Sequence, residues 1–168
     1  MSLSAPQPLT ADHELDDFSC GQETLDAWLK TRAHKNERGG ASRTYVVCDG
    51  KTVVGYYALA VGSAIAAEAP GKVKRNMPDP IPVMVLARLA IDQAQQGKRL
   101  GPALLRDAIL RTLQAADIGG IRALLVHAID EEAARFYEHH GFMRSPIEPL
   151  TLMITLSDAR RAVSPEHP

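Results

Sequence analysis

The sequence predicts an α/β domain with a mixed central sheet. Three observations carry this: a β-hairpin signature in the first third of the chain, apolar strand-like runs alternating with helical patterns in the rest, and a glycine-flanked basic loop between one strand and the next helix. The 168 residues fit a single domain spanning 1–168, with 1–8 and 158–168 as flexible tails.

Taken in order, residues 19–40 (SCGQETLDAWLKTRAHKNERGG) predict the first helix. Ser19 stands three residues before Gln22, the spacing of a capping box, Gly39 and Gly40 close the segment, and Leu25, Trp28 and Leu29 supply a buried stripe. Residues 42–61 hold two β-branched and aromatic runs around Asp49-Gly50, a dipeptide that tolerates the positive φ of a two-residue hairpin turn. Residues 62–82 are rich in Ala, Gly and Pro, carry the basic piece KVKR, and end in PDPIP, which does not suit a central strand, so they predict a connection with one short helix. VMVLARLAID (83–92) follows as a strand, then GPALLRDAILRTLQAAD (101–117) as a helix with Leu104, Leu105, Ile109 and Leu113 on one side. RALLVHAI is the next strand, DEEAARFYEHHG a short helix stopped by Gly141, and LTLMITL the last strand.

Composition excludes little but confines the argument. Apolar residues make up 45% and charged residues 23%, and a net charge of -1 gives no global attraction to nucleic acid or membrane, so any electrostatic role is local. The first residues lack a basic-then-apolar leader, and nowhere do about 18 apolar residues run together, which predicts a cytoplasmic protein without membrane association. Cys20 and Cys48 stand alone, with no CxxC or Cys/His spacing, and are read as reduced thiols rather than metal ligands; no metal is expected.

The stretch QQGKRLG before the helix at 101 concentrates features that suit an anion. A helix's first-turn amides lack intrahelical acceptors and carry the positive end of its dipole. Gly97 and Gly101 let backbone approach a phosphate, Lys98 and Arg99 add charge, and Pro102 suits the first helical position because its missing N–H would be free anyway. The loop is neither a P-loop nor a GxGxxG fingerprint. On this stretch alone, a pyrophosphate cradle and a solvated basic turn are equally open.

Downstream, Asp130, Ala133, Phe136, Tyr137, Gly141 and Phe142 fall at spacings that resemble the closing segment of GCN5-related N-acetyltransferases. With the loop from Gln96 to Gly101, the chain resembles that superfamily, whose loop reads Q/R-x-x-G-x-G/A. Gln96, Leu100 and Gly101 fit, whereas Arg99 occupies the middle glycine slot, where its Cβ would crowd a phosphate or its guanidinium would pair with one. The resemblance implies the GNAT fold, a mixed central sheet with a splayed pair of strands flanked by helices. It implies acetyl-CoA as co-substrate, attacked directly by an amine without an acyl-enzyme. Cofactor contacts would come from the backbone of Leu89, Ala90 and Ile91, from Gln96, Gly97, Lys98, Arg99, Leu100, Gly101, Pro102 and Ala103, and from Asp130. Tyr137 matches the tyrosine that protonates the departing thiolate, and Phe136 is read as core. His127, His139 and His140 lack a recognisable partner and are read as surface or structural.

The segments SCGQETLDAWLKTRAHKNE, SRTYVV, GYYALAVGSA and IPVMVLARLAID, in this order, resemble acetyltransferase toxins of bacterial toxin–antitoxin modules. That likeness implies acetylation of the α-amino group of aminoacyl-tRNA, arrest of translation, and a ribbon-helix-helix antitoxin through which alone operator DNA is contacted; a homodimer stays open. Charge placement agrees independently: from Lys30 to Arg43 the chain carries five Lys or Arg against one Glu. Lys30, Lys35, Arg38 and Arg43 are candidates for tRNA phosphates, with Arg88 and KVKR extending them. The solvated face of an amphipathic helix would look the same. An acetyltransferase of a small-molecule or peptide amine remains an alternative, as does a non-catalytic interaction module on the same fold, which Arg99 favours.

Overall fold

A computed structural model describes residues 2–164. Seven strands form one mixed sheet of order β1-β2-β3-β4-β5-β7-β6. Two compact units interleave in sequence: one runs through Ala60 and takes in Ala87–Ala108, the other comprises Val61–Leu86 and the chain from Ile109 onward.

In the first unit β1 (Gln7–Pro8) pairs with β2 (Arg43–Asp49), and the Ser4 amide donates to the Cys48 carbonyl at 2.9 Å, so the segment expected as an N-terminal tail is an edge strand. Its proline is tolerated because an edge strand has a free side. The expected single helix is two, α1 (Glu23–Thr31) and α2 (Ala33–Gly39). Thr31 donates its hydroxyl back to the Ala27 carbonyl at 2.6 Å, a bond that competes with the helical ladder, and Arg32 leaves helical geometry at φ -120. The capping box does not form. Gln22 is the N-cap, and the Ser19 amide donates instead to Asp92 Oδ2 at 3.1 Å. Leu29 and Ala33 are fully buried with Leu9, Phe18, Val46 and Tyr56, while Leu25 and Trp28 flank this core half-buried. β2 turns into β3 (Thr52–Ala64) through Gly50 and Lys51, with Asp49 opposite Thr52. The positive φ falls on Gly50 alone, so the hairpin is centred one residue later than expected.

In the second unit a 3-10 turn (Ala66–Glu68) and α3 (Gly71–Lys74) fill the expected connection. β4 (Ile81–Ile91) starts earlier than expected and includes Pro82, which is accommodated one residue from the strand's start; the Pro82 carbonyl accepts from the Arg122 amide at 2.8 Å. β4 runs parallel to β5 (Ala123–His127), from Val83↔Ala123 to Leu86↔Val126, while β4 itself continues to Ile91. α4 (Leu100–Ala116) is the strand-to-strand crossover helix. After α5 (Glu131–His139), β6 (Met143–Arg144) and β7 (Thr151–Thr155) pair antiparallel, and β7 pairs antiparallel with β5. Ala64, Val73, Ile81, Val83, Leu125 and Met153 form this unit's core.

The chain does not fray after β7. Thr155 caps α6 (Leu156–Val163), accepting from the Asp158 amide at 3.1 Å, and Leu156, Ala159 and Val163 are buried. This corrects the tail expected at 158–168 up to Ser164; the last four residues lie outside the described residues.

Candidate active site

The anion loop is anchored at both ends by polar bonds of its own. Asp92 follows β4, accepts from the Ala94 amide at 2.9 Å and so caps a 3-10 turn (Gln93–Gln95). The Gln96 side chain donates from Nε2 to the carbonyls of Ile91 and Cys20, both at 2.9 Å. Gln93 donates its amide to the Ser19 carbonyl at 2.8 Å, so the segments leading into α1 and α4 are stitched together. Gln96 therefore serves as the loop's brace: both hydrogens of its amide group are engaged with backbone, and a cofactor finds no side-chain donor there.

Beyond that brace the backbone turns left-handed twice, at Gly97 (φ 80) and at Arg99 (φ 66), with Lys98 and Arg99 exposed. Arg99 thus adopts the conformation of the glycine whose slot it fills, at the steric cost that a Cβ carries in that region, roughly 1–2 kcal/mol. The loop keeps its shape and gains a guanidinium. Its carbonyl accepts from the Ala103 amide at 3.4 Å, and α4 begins at Leu100, which makes Pro102 the third helical residue rather than the first. Pro102 still lies in the first turn, where a missing N–H removes no helical bond. Behind the loop, Gly55 of β3 lets α4 sit close: a Cβ there would meet Leu100 Cδ2 and Leu104 Cδ1, each at 3.3 Å. Arg99→Gly is expected to be more stable than Arg99→Ala by about 1 kcal/mol, because both remove the charge and only glycine removes the strain. Urea midpoints check this, and equal midpoints would contradict a strained Arg99.

Leu89 and Ile91 are half-buried and Ala90 buried in β4, past the last β4–β5 pair at Leu86↔Val126, which leaves residues 87–91 outside that ladder. Both thiols are biased toward the protonated form. Burial, with Asp26 beside it, pushes Cys20 up to about 11, and burial raises Cys48 as well.

In the second unit, α5 carries the candidate acid. Asp130 caps the helix, its Oδ1 accepting from the Ala133 amide at 2.8 Å, so this carboxylate helps to hold the start of α5. Arg144 of β6 donates to Glu131 at 2.7 Å and to Glu138 at 2.8 Å, tying one face of α5 to the sheet edge. Tyr137 is 6% exposed, between Phe136 and Phe142 at ring-centroid distances of 5.1 and 5.4 Å. Its hydroxyl has no hydrogen-bond partner among the described residues. Burial raises its pKa above the usual phenol value, so the hydroxyl keeps its proton at physiological pH. Phe136, expected in the core, is only half-buried, so Tyr137 is the inward member of the pair. His140 packs on Phe136 at 4.9 Å, and burial lowers its pKa. His127 is exposed at the end of β5, its Nδ1 2.9 Å from Thr151 Oγ1.

Of the basic candidates, Lys30, Lys35 and Arg38 are exposed on α1 and α2, and Arg32, between the two helices, joins them. Lys35 and Arg38 are three apart and share a face of α2. Arg43 is exposed but pairs with Glu37 at 2.9 Å, which mutes its charge. Arg88 leaves the set: its guanidinium stacks 4.4 Å over the Trp28 ring, half-buried, and burial lowers its pKa.

Comparison with known proteins places this geometry. Residues 40–144 match the acetyltransferase (GNAT) domain family. The chain is 51% identical to a tRNA-acetylating toxin of Mycobacterium tuberculosis (strain ATCC 25618 / H37Rv), over 95% of this chain and 96% of that protein. Its fold matches AtaT complexed with acetyl-methionyl-tRNAfMet at a TM-score of 0.88 and 30% identity, covering 97% of this chain and all of that one. A tyrosine-to-phenylalanine mutant of AtaT, bound to the C-terminus of the antitoxin AtaR and acetyl-CoA, matches at 0.81 and 30% identity over 96% and 97%. The residues present fit such a co-substrate. A loop with two left-handed residues, exposed Lys98 and Arg99, and helix-start amides free of intrahelical partners is suited to a pyrophosphate. From residues 40 to 144, over more than half its length, this chain belongs to the GNAT acetyltransferase family.

Proposed function

We propose that this chain is a toxin-type N-acetyltransferase that acetylates the α-amino group of the amino acid on charged tRNA, removing it from peptide-bond formation. The observation that carries the reading is the end-to-end likeness to the mycobacterial tRNA-acetylating toxin, 51% identical over 95% of the chain. An antitoxin silences it, of ribbon-helix-helix type, and operator DNA is reached only through that partner; the setting is the cytoplasm. Among the described residues no helix is long and apolar enough to cross a membrane.

Acetyl-CoA supplies the acetyl group as a thioester and leaves as the thiol. The amides of Leu100 and Gly101, with Lys98 and Arg99, hold the pyrophosphate at the start of α4. Backbone at Leu89, Ala90 and Ile91 orients the pantetheine and polarises the thioester carbonyl. Tyr137 holds a proton at Oη and yields it as negative charge develops on sulfur, a general-acid contribution of roughly 10²–10⁴-fold. No general base is assigned, because an α-amine of pKa about 7.7–8.0 is already partly neutral at pH 7. Lys30, Lys35, Arg38 and, more weakly, Arg43 hold tRNA phosphates.

The pH dependence follows from Tyr137 and the amine. A raised phenol pKa extends the protonated form to higher pH, so kcat/KM is expected to rise through about 7.7–8.0 with the amine and to show no fall below about pH 10. Single-turnover rates across that range check it; a fall near neutrality would move the acid role away from Tyr137. The function itself is tested in a cell-free translation extract. Arrest should require both the chain and acetyl-CoA, and arrest without acetyl-CoA would overturn the acetyl-transfer reading.

A further inference from the structure

The second unit carries a basic cleft away from the end of β5 that leads to Tyr137. Lys72, Arg75, Arg122 and Arg161 line it with Thr155, Ser157 and Asp158, around a volume of about 360 Å³. Arg122 is aimed by its own backbone bonds, donating from Nε to the Val73 carbonyl at 3.0 Å and from Nη2 to the Lys72 carbonyl at 2.7 Å. Asp158 holds Lys72 at 2.7 Å and also accepts from Arg161. Arg75 is exposed and makes no ion pair among the described residues. Four cations thus face one carboxylate, and that carboxylate fixes two of them in place.

Arg122 precedes β5, and Ala123 pairs with Thr155, so the cleft lies at the amino end of β5. α5, with Tyr137, follows the carboxyl end. Five strand residues separate the two ends, roughly 16 Å at about 3.3 Å per residue. We propose that this cleft seats a backbone phosphate of the substrate tRNA, away from its aminoacyl end. The proposal rests on the tRNA reading above. Arg75 matches phosphate oxygens in fork geometry, Arg122 and Arg161 keep further N–H groups and their charge beside it, and a tRNA that delivers its 3′ end to the chemistry carries stem phosphates past the same unit. An acidic protein segment offers carboxylates instead, but the substrate is itself a polyanion of sufficient length.

The test uses Arg75→Glu in the full chain, with two substrates: full-length charged tRNA, and aminoacyl-adenosine, which has no phosphate. KM for the tRNA is expected to rise about tenfold and the salt dependence of log(kcat/KM) to fall by about 1, with kcat unchanged and aminoacyl-adenosine acetylated as by wild type. Arg75→Ala should give a smaller change in the same direction. Unchanged tRNA KM and salt slope would overturn the proposal. So would an equal loss on both substrates, which marks damage to the fold or the chemistry. Loss of antitoxin inhibition with normal tRNA kinetics would overturn it in favour of an acidic protein segment. If wild type acetylates neither substrate, the acetyltransferase reading itself falls and this proposal with it.

Discussion

Tyr137→Phe is expected to lower turnover roughly 10²–10⁴-fold, about 3–5 kcal/mol of transition-state stabilisation, while fold and acetyl-CoA affinity stay near wild type. The substitution keeps the ring that lies between Phe136 and Phe142 and removes only the hydroxyl, which has no partner among the described residues to lose. A large cost in melting temperature is therefore not expected, and kcat should fall without a matching rise in KM. Expressed without its antitoxin, the Phe variant should permit growth where wild type arrests it. A variant that remains toxic and turns over at the wild-type rate would reduce Tyr137 to packing.

Reversal of Lys35 and Arg38 to Glu should raise KM for charged tRNA by at least tenfold and flatten its salt dependence, because each phosphate contact contributes about 0.7–0.9 to the slope. Acetyl-CoA binding, measured by calorimetry, should not change. Both side chains are exposed and share the outward face of α2, and neither makes an ion pair among the described residues, so little structure depends on them. Arg43→Glu is a weaker probe, since Glu37 already pairs with Arg43 and a second carboxylate there would also disturb the start of β2. Unchanged KM and slope in the double variant would leave these residues as an ordinary solvated face.

The order of strands and helices was legible because long periodic runs and glycine turns state it directly; the loop before α4 and Tyr137 stood out as candidates only through their resemblance to GCN5-related N-acetyltransferases. The misses have physical causes. Phe136 and Tyr137 are neighbours about 100° apart on a helix, and only the packing of α5 decides which faces inward. α6 is eight residues with three buried positions, too short a pattern to read beside a preceding strand. Pro82 argues locally against a strand, yet the sheet accommodates it near the beginning of β4. Arg99 was legible as the occupant of a glycine slot but not as a left-handed residue, since arginine ordinarily avoids that region; the neighbouring fold holds it there. Asp130, Gln96 and Arg88 were legible as polar residues near a site, but not as a helix cap, a loop brace and a cation over Trp28, because those partners lie elsewhere in the chain.

The central claim is acetyl transfer to the α-amine of charged tRNA. It is tested most directly by incubating the purified chain with acetyl-CoA and a mixture of aminoacyl-tRNAs, digesting with nuclease, and weighing the released aminoacyl-adenosines by mass spectrometry. One or more of them should gain a single acetyl group on the amino acid's nitrogen, only in the presence of acetyl-CoA, and lose most of that gain with Tyr137→Phe. Acetyl-CoA consumed with no acetylated aminoacyl-adenosine, or acetyl found instead on a free small amine or a peptide, would contradict it.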